Sequence, residues 1–237
     1  MITSWHQTAN HSDYETLRFN KISQAEGVEP FSYIDTKGIP SIGIGFNLHD
    51  LTVRTEVFKA MGINANDTRL AGNAAAQAAE LGYINQLIAK VAQFYADTTA
   101  SEISLQVALA DILIARSVNP LLSGFAHITS RTNFKMEPNE IQNVFNDVIQ
   151  NYETAVNSWL SSIPDSNERV ALVSLAYNGI VGPGKSPALR QAILDDDRAE
   201  AWYQIRYESN GGASQSPGIA DRRLAESNLF SLYDNPG

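Results

Sequence analysis

Glu26 and Asp35, two acids nine residues apart, are the side chains of this chain best suited by type to proton chemistry. A protonated carboxyl on one side of a bond can give a proton to a leaving oxygen while an ionised carboxylate on the other activates water. Hydrolysis of a glycosidic bond needs that division of labour. Each acid also has a plainer reading. Glu26 can be a solvated helix end, and Asp35 can cap the turn at Lys37-Gly38. Residue type and spacing alone do not choose between the two.

Positioning these acids falls to a helix and a glycine-punctuated sheet. Ser12-Asp13-Tyr14-Glu15 has the form of a capping box, Leu17, Ile22 and Ala25 make a loose helical stripe, and Gly27 stands where a left-handed C-terminal cap belongs. Glu26 then projects from the last turn of that helix. Past Pro30, Phe31 and Tyr33 and then Ile39, Ser41, Ile42, Ile44 and Phe46 have strand character, while Gly43 and Gly45 leave room for a second backbone or a ligand. The pattern predicts a small hairpin with a polar mouth.

The rest of the chain reads as helices. Asp50 caps a helix from Leu51 to Met61 that Gly62 stops, and a long helix is expected over Asp67–Tyr95 with Leu81, Ile84, Leu87, Ile88 and Val91 on its core face. Ser101–Ser117 is apolar almost all round and is expected at the centre of the larger lobe. Residues 118–136 read as irregular or as a short helix, after which Pro138 opens a helix to Ser161. Asp165 or Ser166 caps a central helix over Glu168–Ile180. Ser186-Pro187 begins another to Ile193, and Asp197 caps the next, over Arg198–Glu208. A last helix spans Gly218–Tyr233, preceded by Ser209–Pro217, a flexible loop able to rim a groove. The architecture is α+β and predominantly α-helical, with one small N-terminal sheet.

Glu26-Gly27, Phe31-Ser-Tyr33, Asp35-Thr36, Gly38 and Ser41-Ile-Gly-Ile-Gly45 together closely resemble the active-site hairpin of the phage-type lysozymes, the muramidases of glycoside hydrolase family 24. Arg169–Gly179 resembles that family's central helix, and the helices at Pro187, Trp202 and Pro217–Phe230 resemble its C-terminal ones. The likeness covers residues 13–62 and 166–233 of a single domain spanning 1–237. Residues 63–165 are left as an enlarged helical region or an inserted subdomain. The resemblance implies a two-lobed lysozyme-like fold.

Carried over position by position, the resemblance implies that Glu26 is the general acid, that Asp35 holds and activates the attacking water, and that Ser41 replaces the family's threonine in bonding that water. Serine keeps the hydroxyl but loses the methyl that restricts its rotamer. Phe46 stands where the family often has histidine; with Tyr177 and Asn178 it is an implied substrate-side residue. The implied reaction is hydrolysis, with inversion, of the bond between N-acetylmuramic acid and N-acetylglucosamine in peptidoglycan glycan strands, with neither metal nor cofactor. Inversion requires a carboxyl separation of about 6.5–9.5 Å. Glu26 is expected to be partly buried beside the Asp35 charge, which favours its protonated form.

Other features narrow the field. The net charge of −9 argues against nucleic acid as a partner, and no apolar run reaches the length of a membrane span. The chain has no cysteine, so neither disulfides nor thiolate metal sites are available. His6, His11, His49 and His127 lack metal-ligand spacing and read as surface or loop residues, and Ser174 lies in no nucleophile elbow. Arg222 and Arg223 are expected to brace the lobes through ion pairs or helix ends. With 43% hydrophobic residues the chain can bury its own core and is expected to act as a monomer.

The start Met1–Gln7 lacks the regions of a signal peptide. Synthesis in the cytoplasm is therefore expected, with action in the periplasm or cell wall after release through a holin lesion or injection by a secretion machine. The acidic balance, and a start that reads as the cut edge of a larger polypeptide, lean towards an injected effector domain, for which an immunity protein is the implied partner. The alternatives are a non-catalytic peptidoglycan-binding module on the same scaffold and a helical interaction protein whose working part is the middle region.

Overall fold

A computed structural model describes residues 1–97, 99, 101–161, 163–210 and 217–231. The helices are α1 (His11–Glu26), α2 (Leu51–Ala60), α3 (Ala74–Ala96), α4 (Glu102–Ser117), α5 (Ala126–Thr129), α6 (Pro138–Trp159), α7 (Asn167–Tyr177), α8 (Pro187–Leu194), α9 (Arg198–Arg206) and α10 (Pro217–Phe230). The strands β1 (Glu29–Ile34), β2 (Pro40–Gly43) and β3 (Phe46–Asn47) form an antiparallel sheet in the order β1-β2-β3. With 62% of the chain helical, this is the helix-dominated α+β class expected, and it is consistent with a lysozyme-like fold. The chain divides into two compact units, one of Met1–Ala25 with Ile149–Gly237 and one of Glu26–Val148.

In the first unit α7 is enclosed: every residue from Val170 to Ala176 is buried. Three buried carboxylates tie neighbouring segments to one another. Glu153 of α6 accepts from the Tyr14 hydroxyl at 2.5 Å, from Arg18 at 2.5 Å and from Arg169 at 3.0 and 2.8 Å. Burial, and then the Glu153 charge, push the Tyr14 phenol far above its ordinary range, so it stays a donor. Glu168 accepts from Arg198 at 2.9 Å and bonds the His6 ring at 2.6 Å, so His6 lies in a loop, one of the two settings expected, and is half-buried in this network.

Glu226 of α10 receives Ser174 at 2.6 Å, Arg222 at 3.1 Å and Arg223, which fastens α10 to α7 within this unit. Arg222 and Arg223 thus act through ion pairs, as expected. Ser166 caps α7 by accepting from the Arg169 N–H, and Asp197 caps α9 from Glu200. Two capping assignments shift. Asn10, not Ser12, starts α1, through reciprocal bonds with Asp13 at 3.0 and 2.9 Å. Ser186 gives α8 no side-chain cap, because its hydroxyl donates to the Ile180 carbonyl at 2.9 Å. Most of the Ser209–Pro217 loop, and Tyr233 with the end of the last expected helix, lie outside the described residues.

In the second unit Asp50 caps α2 as expected. The long helix starts later than Asp67, because the two acceptors there act separately: Asp67 caps a short 3-10 turn at Thr68–Leu70, and Asn73 caps α3. The buried stripe of α3 is Ala76, Glu80, Leu87, Val91 and Phe94, whereas Leu81 is half exposed. Glu80 sits in the core because Arg116 of α4 reaches it with two bonds of 2.7 Å, both side chains having no exposure at all. The same guanidinium donates to the Ile128 carbonyl at 2.7 Å and the Gly62 carbonyl at 2.9 Å, and Glu80 also accepts from the Asn64 N–H. That pair joins α3, α4, α5 and the turn after α2. The expectation that α4 is buried all round fails. Leu105, Leu109 and Leu113 are buried, but Ile103, Val107 and Ile114 face solvent, so α4 packs along one stripe only.

Candidate active site

Gly27, at φ +79°, ends α1 in the left-handed conformation that costs glycine least, and this leaves Glu26 as the last helical residue. Glu26 is exposed, against the partial burial expected of it. The chain then enters β1, whose pairing with β2 is irregular between Glu29 and Tyr33 before settling into Tyr33 opposite Ser41 and Ile34 opposite Pro40. Ser41 in turn pairs with Asn47 of β3. Residues directly opposite in an antiparallel ladder project from the same face with Cβ atoms about 4.5–5.5 Å apart, so Tyr33, Ser41 and Asn47 form one row. The opposite face carries the Ile42–Phe46 pair, and both of those residues are buried.

Asp35 follows β1 and makes its turn. Its Oδ1 accepts the backbone N–H groups of Lys37 and Ile39, each at 2.8 Å, so the turn-capping reading holds for one carboxylate oxygen. Oδ2 takes no hydrogen bond from the described residues, and the side chain is half-buried. Ser41 is 3% exposed and donates its hydroxyl to the Ile39 carbonyl at 3.3 Å, which leaves its own lone pairs able to accept.

The Tyr33 phenol reports where the acids lie. Its proton affinity is raised first by burial and then by the negative charges of Asp35, Glu26, Glu29 and Glu102, in that order. The charges of both candidate acids thus contribute to that rise, and Tyr33 is the residue that pairs with Ser41. Glu102 stands in the first turn of α4, and one turn further on Gln106 donates to the Ser32 carbonyl at 2.9 Å, holding α4 against β1. Tyr33 was not among the site residues read from sequence, although its place two residues before Asp35 and in strand alternation was a usable sign.

Of the remaining site residues, Phe46 belongs to the second unit. Phe46 is 1% exposed, with its ring against Gly43: a Cβ at Gly43 would stand 2.6 Å from the ring. Gly43 is thus explained by core packing and not by ligand approach, and Phe46 offers no groove surface. Tyr177 and Asn178 belong to the first unit. Tyr177 is half-buried and packs tilted at 45° to the Tyr152 ring with centroids 4.9 Å apart, and exposed Asn178 ends α7, its amide donating to the Ser174 carbonyl at 3.3 Å. The same unit holds a pocket of about 670 Å³ among Lys21, Gln24, Ala25, Ser174, Arg222 and Asn228. Among the described residues no group of three or more His, Asp and Glu is arranged to hold a metal, and no helix is long and apolar enough to cross a membrane.

A helix-dominated α+β chain with one small three-stranded antiparallel sheet is consistent with the lysozyme-like class. Residues 116–226 match the family model for phage lysozyme, and the match supports a phage-type lysozyme: in general terms a muramidase, a glycoside hydrolase acting on peptidoglycan. The matched span includes α6 to α9 and most of α10. It begins inside the 63–165 stretch read as an enlargement, and it does not reach Glu26, Asp35 or Ser41. No curated protein sequence matches the chain at a significant level.

Proposed function

We propose that the chain hydrolyses the β-1,4 bond between N-acetylmuramic acid and N-acetylglucosamine by an inverting acid/base mechanism. The observation that carries this is the hairpin: Glu26 ends α1, Asp35 makes the turn after β1 with Oδ2 unengaged among the described residues, and buried Ser41 stands on β2 directly opposite Tyr33. Glu26, exposed at a helix end, gives its proton to the glycosidic oxygen as the C1–O bond breaks. A saccharide laid over it removes water, and desolvation beside the Asp35 charge favours the protonated carboxyl. Asp35 takes one proton from a water through Oδ2, while the water's other O–H, which stays on the attacking oxygen, donates a hydrogen bond to the Ser41 hydroxyl. The remaining lone pair attacks C1 from the opposite side, and the product has inverted configuration. No step passes through a metal.

Glu26→Gln keeps the shape and removes the transferable proton. Release of new reducing ends from purified peptidoglycan should fall by about 10²–10⁴-fold with the fold intact. Wild-type rates in that variant would sink the mechanism, and reducing ends on N-acetylglucosamine would reassign the bond. The setting we propose is a cell wall reached by injection, with an immunity protein as partner, and holin release as the rival route. An inhibitor protein bound to the purified chain favours the first, and a neighbouring holin contradicts it.

A further inference from the structure

We propose that Tyr33 is a positioning residue for this hydrolysis: its hydroxyl bonds Oδ2 of Asp35 in the substrate complex and pins the carboxylate that aims the water. The inference rests on the muramidase reading and deepens it. Tyr33 is the last residue but one of β1, Asp35 is the first residue of the turn that follows, and Tyr33 pairs with Ser41. The Asp35 carboxylate is held at Oδ1 by the Lys37 and Ile39 N–H groups, while neither Oδ2 nor the Tyr33 hydroxyl has a hydrogen-bond partner among the described residues. A donor and an acceptor are thus both unengaged on the face where the water must sit.

The charges facing the phenol come from Glu26 at the end of α1, Glu29 on β1, Asp35 in the turn and Glu102 on α4, and all are negative. In that field the phenol keeps its proton through neutral pH and serves as a neutral donor. With both oxygens fixed, the carboxylate cannot rotate away from the water. The second lone pair of Oδ2 then points towards the space beside the Ser41 hydroxyl. Loss of the tyrosine bond has two consequences. The water is less well aligned, and the ionised form of Asp35 loses a stabilising donor.

Tyr33→Phe tests this, because it keeps the ring and its packing. With purified peptidoglycan as substrate, kcat should fall by about 10- to 100-fold with KM within about twofold. The acid limb of the kcat/KM profile should move to higher pH, and the melting temperature should stay at the wild-type value. Wild-type kcat with an unmoved acid limb overturns the proposal. So does a fall in kcat that tracks a lower melting temperature with the limb unmoved, since that is a packing effect. The wild-type chain run beside it separates the two levels: no new reducing ends there sinks the muramidase reading itself, whereas wild-type hydrolysis with an unaffected Tyr33→Phe sinks only the role of Tyr33.

Discussion

Asp35 has two jobs on one carboxylate, and a pair of substitutions separates them. Oδ1 accepts the Lys37 and Ile39 N–H groups at 2.8 Å each and shapes the turn, while Oδ2 is the oxygen proposed to take the proton from water. Asp35→Asn keeps an oxygen able to accept both N–H groups and removes the base. Asp35→Ala removes both functions. Each turn bond is worth roughly 0.5–1.5 kcal/mol net, so alanine should cost about 1–3 kcal/mol. At about 2–4 °C per kcal/mol for a chain of this size, the melting temperature falls by about 2–12 °C. Asparagine should cost about 1 kcal/mol or less, because only the charge assistance is lost.

Hydrolysis behaves differently. Both variants should lose about 10²–10⁴-fold in reducing-end release, since neither can take the proton. The assay is paired: thermal unfolding, and product release from purified peptidoglycan at the wild-type optimum. If Asp35→Asn digests wall at more than about a tenth of the wild-type rate, Asp35 is a turn cap and no base. If asparagine destabilises as much as alanine does, the account of the turn is wrong.

The buried Glu80–Arg116 pair gives a second test. Glu80→Ala leaves a guanidinium with no exposure facing only the Ile128 and Gly62 carbonyls, which should cost about 3–5 kcal/mol in chemical denaturation. Replacing both residues with methionine should recover most of that loss, and a single-variant cost below about 1 kcal/mol would refute the argument. Acid stability tests Asp67, whose carboxyl is held down at about 2 chiefly by its hydrogen bond to the Arg69 side chain. A depressed carboxyl contributes stability that is present above its unfolded value of 3.8 and lost as pH falls through about 2. The stability gap between wild type and Asp67→Asn should therefore close over that interval, and a gap unchanged down to pH 2 would contradict the assignment.

Much of the local structure was legible because its causes lie within a few residues. Gly27 stops α1, Asp50, Ser166 and Asp197 each accept a hydrogen bond from the first turn of a helix, and Pro138 opens α6. The errors at Ser12 and Ser186 are of the same local kind. An alternative acceptor stood two residues earlier in one case, and a competing carbonyl captured the hydroxyl in the other. The hairpin carrying Asp35 and Ser41 followed from strand alternation and turn chemistry, as did the position of Glu26 at a helix end.

By itself, then, the amino-acid order determined the helix-dominated α+β class, most helix ends and the carriers of the candidate acid and base. Tertiary structure alone decided which polar groups are enclosed. Glu80 is buried because an arginine 36 residues away supplies two hydrogen bonds and a charge. Phe46 reads as a groove residue but turns into the core over Gly43, and α4 reads as apolar all round yet keeps Ile103, Val107 and Ile114 in water. The gathering of Glu26, Glu29, Asp35 and Glu102 about Tyr33 likewise needs a sheet register and a helix from elsewhere in the chain. Burial of a charge or exposure of an apolar side chain depends on distant partners, and no window of neighbouring residues contains them.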